Sequence, residues 1–199
     1  MKFAVYCVPF LVLLILGILA GCTQTQAPVS TPVSLAMPTP VSYTNLSQLF
    51  LSQAEIPFRI RGINTLTPNM RDPSISQFGG LRGASQFVID QSQDSATSTQ
   101  VGQTIVAYPR GNAVLAYDAF VNQTRNADQS AYTITWLTDP GIGEKSSAFM
   151  VSDKSGKDKP MVMIVFVKSN LMESVVMLSP ATDIPTATLL GRMAAAKIP

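Results

Sequence analysis

Residues 160–179, "PMVMIVFVKSNLMESVVMLS", contain the longest uninterrupted apolar pattern outside the N-terminal 21 residues. Every position from 161 to 167 is apolar, and such a run indicates a strand that is covered on both faces of its sheet. Ser169 and Asn170 follow, and a two-residue break between two apolar runs is typical of a β-hairpin. The second run, "LMESVVMLS", predicts the partner strand. We therefore expect an antiparallel hairpin in the interior of a sheet.

Five further strands are predicted on the N-terminal side of this hairpin, and in the first and fourth of them apolar and polar residues alternate with the period of a half-buried strand. These segments are "PFRIRGI" (57–63), "ASQFVID" (84–90), "VGQTIVAYP" (101–109), "SAYTITWL" (130–137) and "EKSSAFMVSD" (144–153). Residues 64–83 contain several prolines and glycines and predict a long irregular connection.

Apolar residues at helical spacing predict three helices, in "TNLSQLFLSQA" (44–54), in "GNAVLAYDAFVN" (111–122) and from Thr182 or Asp183 to Ile198. Strands therefore come in consecutive runs with only a few helices among them. This order predicts an α+β fold, an antiparallel β-sheet of about six or seven strands with two or three helices packed on it.

The N-terminal end of the chain has the pattern of an export signal. Met1 and Lys2 precede an apolar run over residues 3–19, and the two small residues Ala20 and Gly21 precede Cys22. The string Leu19-Ala20-Gly21-Cys22 resembles the lipobox of prokaryotic lipoproteins. That resemblance implies that Cys22 receives a diacylglyceryl group and becomes the first residue of the mature protein. An uncleaved N-terminal membrane helix with an incidental cysteine is the alternative interpretation.

The residues after Cys22 predict a tether. Four prolines lie among threonine, serine, glutamine and alanine, and this composition favours an extended spacer over a packed core. We therefore divide the chain into a signal peptide (1–21), a lipidated cysteine with a Pro/Thr/Ser-rich tether (22–42), and a single extracytoplasmic α+β domain (43–199). The expected location is the extracytoplasmic face of the cell membrane, with a lipid anchor.

The composition excludes several classes of function. The chain of 199 residues has no histidine, and its two cysteines, Cys7 and Cys22, both lie outside the predicted domain. Zinc and haem sites and Cys- or His-based catalysis therefore have no ligands or nucleophiles in that domain, and no cofactor or metal site is expected. A net charge of +2 gives no basic surface for nucleic acid. The expected partners are the membrane, through the lipid, and an envelope protein.

The predicted domain resembles the PsbP-like fold and the extracytoplasmic sensor domains of actinobacterial lipoproteins and kinases. The segments that carry the resemblance are "QTIVAYPRGNAVLAYDAF" (103–120), "GIGEKSSAF" (141–149) and "LLGRMAAAKI" (189–198). It implies a binding, assembly or sensing module, and no catalytic residue is carried over from it. The sensor domains usually contain disulfides, whereas the predicted domain here has no cysteine.

Four aromatic residues are candidates for an apolar ligand cleft: Tyr108, Tyr117, Tyr132 and Trp136. The alternative is that these rings pack the core between sheet and helices, where aromatic side chains bury a large area. The four methionines at 161, 163, 172 and 177 are interpreted as core residues.

The remaining polar candidates are weaker signals. Asp153 and Asp158 flank Gly156 as in a calcium loop, but three lysines nearby favour a solvated hairpin loop. Glu144 and Asp118 are interpreted as surface carboxylates because nothing in their spacing indicates an acid–base pair. Two sequons offer possible glycosylation at Asn45 and Asn122, or occur by chance.

The sequence therefore favours a lipid-anchored, non-enzymatic cell-surface protein whose domain binds or scaffolds an envelope component. A small-ligand binding or sensing lipoprotein that uses the four aromatic residues is the alternative. A hydrolase that uses two carboxylates and a water molecule is the third hypothesis, and it requires two acids that converge in one cleft.

Overall fold

A single antiparallel sheet organises the part of the chain that the computed structural model describes, residues 45–91 and 97–199. In chain order its strands are β1 (Ile60–Leu66), β2 (Arg82–Asp90), β3 (Gln100–Ala107), β4 (Tyr132–Trp136), β5 (Lys145–Asp153), β6 (Met161–Lys168) and β7 (Leu171–Leu178). Their order across the sheet is β1-β2-β3-β7-β6-β5-β4. Two meanders, β1 to β3 and β4 to β7, thus meet where β3 pairs with β7.

The hairpin of β6 and β7 confirms the prediction made from residues 160–179. Lys168 pairs with Leu171 across a two-residue turn, and Ser169 adopts a left-handed backbone conformation with a φ of 58°. All residues of β6 before Lys168 are buried. The hairpin is therefore covered on both faces, as the continuous apolar run predicts.

The described residues form three α-helices, α1 (Pro73–Ser76), α2 (Asn112–Arg125) and α3 (Ile184–Ala196), of which α1 is a single turn. The two long helices, α2 and α3, cover opposite faces of the β6–β7 hairpin. Ile164 and Phe166 of β6 belong to the core cluster of α3, whereas Val165, one position along, belongs to the cluster of α2. Because successive side chains of a strand point to opposite faces, the sheet lies between α2 and α3. The predicted α+β fold is confirmed.

Helix α3 begins and ends at residues that satisfy its free backbone groups. The Asp183 side chain accepts a hydrogen bond from the Thr186 backbone N–H at 2.9 Å, and Pro185 occupies the first turn. At the other end, the ammonium of Lys168 donates to the carbonyl oxygens of Ala195 and Ile198. A cation at a helix C-terminus is stabilised by the helix dipole, so the end of β6 holds α3 in place.

The N-terminal segment differs from the helix predicted over residues 44–54. It forms two short 3₁₀ turns, Leu46–Leu49 and Gln53–Glu55, with extended residues between them. The apolar residues of the predicted helical face, Leu46, Leu49 and Phe50, are nevertheless buried. The helix is interrupted because side chains of the sheet bind the backbone of this segment, as described below.

The connection predicted over residues 64–83 is shorter than expected. Strand β1 continues to Leu66, and the single turn of α1 forms within the remaining stretch. Within residues 45–91 and 97–199, no helix is both long enough and apolar enough to cross a membrane.

Candidate functional site

Three polar side chains lie buried on the face of the sheet that carries α3, and together they bind the N-terminal segment. The Gln103 amide donates to the Leu49 carbonyl at 3.2 Å and accepts from the Leu51 N–H at 2.8 Å. The Gln86 amide donates to the Leu51 carbonyl at 3.0 Å. These bonds replace hydrogen bonds that a helix would make within itself, which explains the interrupted helix.

The third member of this network is Glu173 of β7. One of its carboxyl oxygens accepts from the Gln103 Nε2 at 2.6 Å, and the other has no hydrogen-bond partner among the described residues. Its side chain has no exposed surface. Burial raises the pKa of Glu173 from 4.5 to about 8, and the hydrogen bond from Gln103 offsets only part of that effect. The carboxyl is therefore protonated at neutral pH.

This network fixes the N-terminal segment but has no access to a substrate. Glu173 is paired across the sheet with Ile105 on β3 and Phe166 on β6, and all three residues are 0% exposed. A carboxyl in such surroundings contacts no molecule that arrives from solvent. Ionisation of the buried Glu173 carboxyl destabilises the folded state.

The same segment is also held by an ion pair at its far end. The Lys197 ammonium lies 2.9 Å from the Glu55 carboxylate, so the C-terminal end of the chain is tied to the second 3₁₀ turn. Burial raises the pKa of Glu55, but hydrogen bonds from Lys197 and Ser52 outweigh it and lower the pKa to about 2. Glu55 therefore stays ionised where Glu173 is neutral.

A groove of about 500 Å³ opens beside this segment, at the end of the sheet where β1 stops and β2 starts. Its apolar lining comes from the first 3₁₀ turn and from residues around these two strand ends: Leu46, Phe50, Leu66, Met70 and Leu81. Its polar lining includes Thr65, Thr67, Arg82 and Ser85, and the Ser85 hydroxyl is hydrogen-bonded to the Thr104 hydroxyl at 2.9 Å. The groove is thus amphipathic, with Asn45, the first described residue, in its lining.

The four aromatic residues predicted to form a ligand cleft lie elsewhere, in the core on the α2 face of the sheet. Tyr108 and Tyr117 are 2% and 5% exposed, whereas Tyr132 and Trp136 are partly buried at the β4 edge. Trp136 packs on Phe149 with ring centroids 5.2 Å apart. None of the four lines the groove described above. A ligand cleft formed by them remains a prediction.

Tyr117 is the centre of the main polar cluster on the α2 face. Its hydroxyl lies 2.6 Å from the Ser147 hydroxyl, and the Lys145 ammonium lies 6.0 Å from its ring centroid. Lys145 in turn pairs with Asp118 at 2.7 Å. Burial raises the pKa of Tyr117, so its phenol keeps its proton and is not activated as a base.

Glu144 and Asp118, the two carboxylates weighed for acid–base work, bind different groups. Asp118 is occupied by Lys145, whereas Glu144 accepts from the Ser169 N–H at 2.7 Å. Glu144 therefore supports the left-handed turn between β6 and β7. Each carboxylate has a local structural partner, in agreement with their interpretation as surface residues.

The β5–β6 loop, weighed as a calcium site, satisfies its acidic residue internally. The Asp153 carboxylate accepts hydrogen bonds from the backbone N–H groups of Ser155, Lys157 and Asp158. Hydrogen bonds from Ser155 lower the pKa of Asp153 to about 2. Among residues 45–91 and 97–199, no three His, Cys, Asp or Glu side chains lie together as a metal site requires.

The two sequons lie in the described part of the chain, whereas the lipidation residue does not. Asn45 and Asn122 are both exposed, the first as the cap of the first 3₁₀ turn and the second in the last turns of α2. Cys22 and the predicted signal peptide and tether fall outside the described residues. Lipidation and glycosylation remain predictions.

Gln103, Glu173 and Gln86 are not among the residues predicted from the sequence, although Gln103 and Glu173 leave a signal in it. Glu173 stands between Leu171 and Val175 in the alternating register that faces the core, and Gln103 stands likewise within β3. A polar residue at a core-facing strand position requires a partner. The partners, however, lie on another strand and in the N-terminal segment.

Comparisons with known proteins give a likeness of fold. No protein-family model matches the sequence, and neither does any curated protein. Among solved structures, the extracellular domain of PknH from Mycobacterium tuberculosis is similar, with a TM-score of 0.60 and 12% sequence identity. The alignment covers 80% of this chain and 97% of that one. The likeness agrees, at the level of fold, with the predicted resemblance to extracytoplasmic sensor domains.

Proposed function

We propose that this chain is a lipid-anchored protein of the cell envelope, held through Cys22 on the extracytoplasmic face of the membrane, whose domain binds or scaffolds another envelope component without catalysing a reaction. The observation that carries the proposal is the string Leu19-Ala20-Gly21-Cys22 directly after an apolar run. A diacylglyceryl cysteine supplies two acyl chains, which a lasting hold on a bilayer requires. A fold shared with an extracellular domain supports the location.

The chemistry of the described polar groups supports a non-enzymatic role. Glu173 is neutral and sealed from solvent, the Tyr117 phenol has a raised pKa, and Asp118 is bound to Lys145. General acid–base catalysis needs a group of suitable pKa within reach of a substrate. Glu173 cannot be reached from solvent, the Tyr117 phenol holds its proton too tightly, and the Asp118 carboxylate is occupied by Lys145. None of the three is therefore suited to acid–base catalysis.

The two edges of the sheet differ in a way that supports a binding role. Strand β4 is short, and the N–H of Ile134 is occupied by the Gln129 side chain at 3.2 Å. Strand β1 is longer, and its residues from Ile63 to Leu66 are all exposed. An unpaired strand edge presents backbone donors and acceptors to an added strand. Strand β1 is therefore the surface that we assign to a protein partner.

Metabolic labelling with an alkyne analogue of a fatty acid tests the anchor, and the chain provides its own matched control. Cys22→Ala is expected to abolish incorporation of the label, because the acceptor sulfur is lost. Cys7→Ala removes a cysteine within the apolar leader and is expected to leave the label unchanged. Absence of label on the wild type, or equal label on the Cys22→Ala variant, would refute the anchor.

A further inference from the structure

The groove beside the first 3₁₀ turn presents apolar surface that no described element covers. Leu66 and Leu81, which line it, are 48% and 62% exposed. Scattered apolar residues are ordinary on a protein surface, but a concave apolar cluster with polar residues around it indicates an occupant.

The chain itself brings a candidate occupant to this groove. Asn45 lines it, so the peptide that precedes Asn45 begins at its rim. Two extended residues span about 7 Å, which places Tyr43 within reach of the lining. Tyr43 is the only aromatic residue between Cys22 and Asn45.

The chemistry of Tyr43 fits the lining. An aromatic ring buries a large apolar area against leucine and phenylalanine, and a phenol hydroxyl forms hydrogen bonds with side chains such as those of Thr65 and Thr67. Docking would order only two side-chain torsions of Tyr43, and Pro38 and Pro40 already restrict the backbone of the preceding residues. The entropy cost of docking is therefore small. Because the segment is covalently attached, its effective concentration at the groove is roughly millimolar. A weak contact is therefore enough to keep it docked.

We propose that the groove is the docking site for the chain's own stretch 38–44, with Tyr43 as the residue that fills it. The consequence, which rests on the proposed lipid anchor, concerns the distance between domain and membrane. Each extended, proline-rich residue spans about 3.1 Å, so docking seven residues takes roughly 20 Å from the reach of the tether. The groove thereby sets how far from the bilayer the β1 edge is presented.

Photo-crosslinking in the full chain tests this inference. Tyr43 is replaced by the aromatic photo-crosslinker p-benzoylphenylalanine, and crosslinked peptides are mapped by mass spectrometry. The expected product joins position 43 to the peptide that contains residues 65–85 of the same chain. The matched control carries the same crosslinker at Thr31, also in the predicted tether, and is expected to give no preferred product.

Two further measurements make the outcome decisive. The double variant Leu66→Ser, Leu81→Ser alters two exposed groove residues. It is expected to lower the yield of the crosslink from position 43 roughly 3- to 10-fold, because both substitutions remove apolar contact area. Mixing heavy- and light-isotope chains separates contacts within one chain from contacts between two. Equal yields at positions 43 and 31, products only between chains, or an unchanged yield in the folded double variant would overturn the proposal.

Fatty-acid labelling of the same samples keeps the two proposals separate. A crosslink without label leaves the groove assignment in place and removes the anchor. Label without a crosslink leaves the anchor in place and removes the docked segment. Circular dichroism melting of the double variant identifies a folding defect, and the comparison of positions 43 and 31 in the wild-type background decides the question in that case.

Discussion

Replacement of Glu173 by glutamine is expected to change how the stability of the protein depends on pH. In the folded state burial holds the pKa of Glu173 at about 8, whereas the ordinary value is 4.5. Between these values the folded protein binds more protons than the unfolded chain, so the free energy of unfolding falls as the pH rises. The contribution of Glu173 is fully present below pH 4.5 and is lost progressively up to pH 8.

The size of the effect follows from the interval between the two pKa values. One pKa unit corresponds to 1.36 kcal/mol, so the wild-type protein is expected to lose roughly 3 to 4 kcal/mol between pH 5 and pH 8 through this group. That is a large share of the 5–15 kcal/mol, roughly, that stabilises an ordinary domain. Glutamine has no proton to lose, so Glu173→Gln removes this dependence.

The order of stability of the two proteins is expected to reverse with pH. At pH 5 the variant is less stable by about 1–2 kcal/mol, because its amide N–H groups face the position where Glu173 has no partner. At pH 8 the variant is more stable, because the wild type must hold an ionised carboxylate in its core. Urea unfolding, followed by the fluorescence of Trp136 at pH 5, 6, 7 and 8, measures both effects.

Glu55→Gln is the matched control for this experiment. The pKa of Glu55 is lowered to about 2, so its stabilisation is lost only as the pH falls below about 4.5. Its substitution is expected to shift the stability by the same amount at every pH from 5 to 8. Parallel curves for wild type and Glu173→Gln across that range would refute the reasoning from burial.

Three further predictions concern the packing of the fold, and each is read from urea unfolding at pH 6. Gly143→Ala is expected to cost roughly 3 kcal/mol, since the φ of Gly143 is +67° and a Cβ would lie 2.2 Å from a backbone oxygen. Gly141→Ala, with a φ of +64° but open space around it, is expected to cost only about 1 kcal/mol; equal costs would contradict the steric argument. Phe166→Ala empties a site that is 0% exposed and is expected to cost about 3–5 kcal/mol. Lys145→Ala breaks an ion pair with Asp118 whose side chains are over 40% exposed, so its cost is expected to stay below about 1 kcal/mol and to shrink in high salt.

The central elements of the fold could be predicted because local signals and tertiary packing agree there. The apolar run of β6, the Ser169–Asn170 turn and the capped helix α3 each indicate the structure they adopt. A strand buried on both faces needs no information from distant residues to be recognised. Agreement between local pattern and global fold is typical of such core elements.

The N-terminal segment shows where local pattern fails. The spacing of Leu46, Leu49 and Phe50 is helical, yet the amides of Gln103 and Gln86 bind the backbone beside Leu51 and interrupt the helix. Those partners are more than thirty positions away along the chain. Tertiary hydrogen bonds therefore override helical propensity, and a single sequence does not reveal which pairs will meet.

The candidate sites were harder to predict for the same reason. The groove forms where the first turn meets the ends of β1 and β2, and no short motif spans these segments. Glu173 gives a signal as a charged residue in a core-facing register, but its neutral state follows only from the burial that the fold imposes. Motifs identify chemistry within a segment, whereas these sites arise between segments.

The order of strands in the sheet also bears on how the chain folds. Each meander is built from strands that are neighbours in sequence, so both can form through short loops. The junction of β3 with β7 must bring positions 100 and 178 together, and closing so long a loop carries a larger entropy cost. We expect the β3–β7 junction to form late in folding. The hydrogen bond between Gln103 and Glu173 spans this junction, so Glu173 joins the network that holds the N-terminal turns only after the two halves have met.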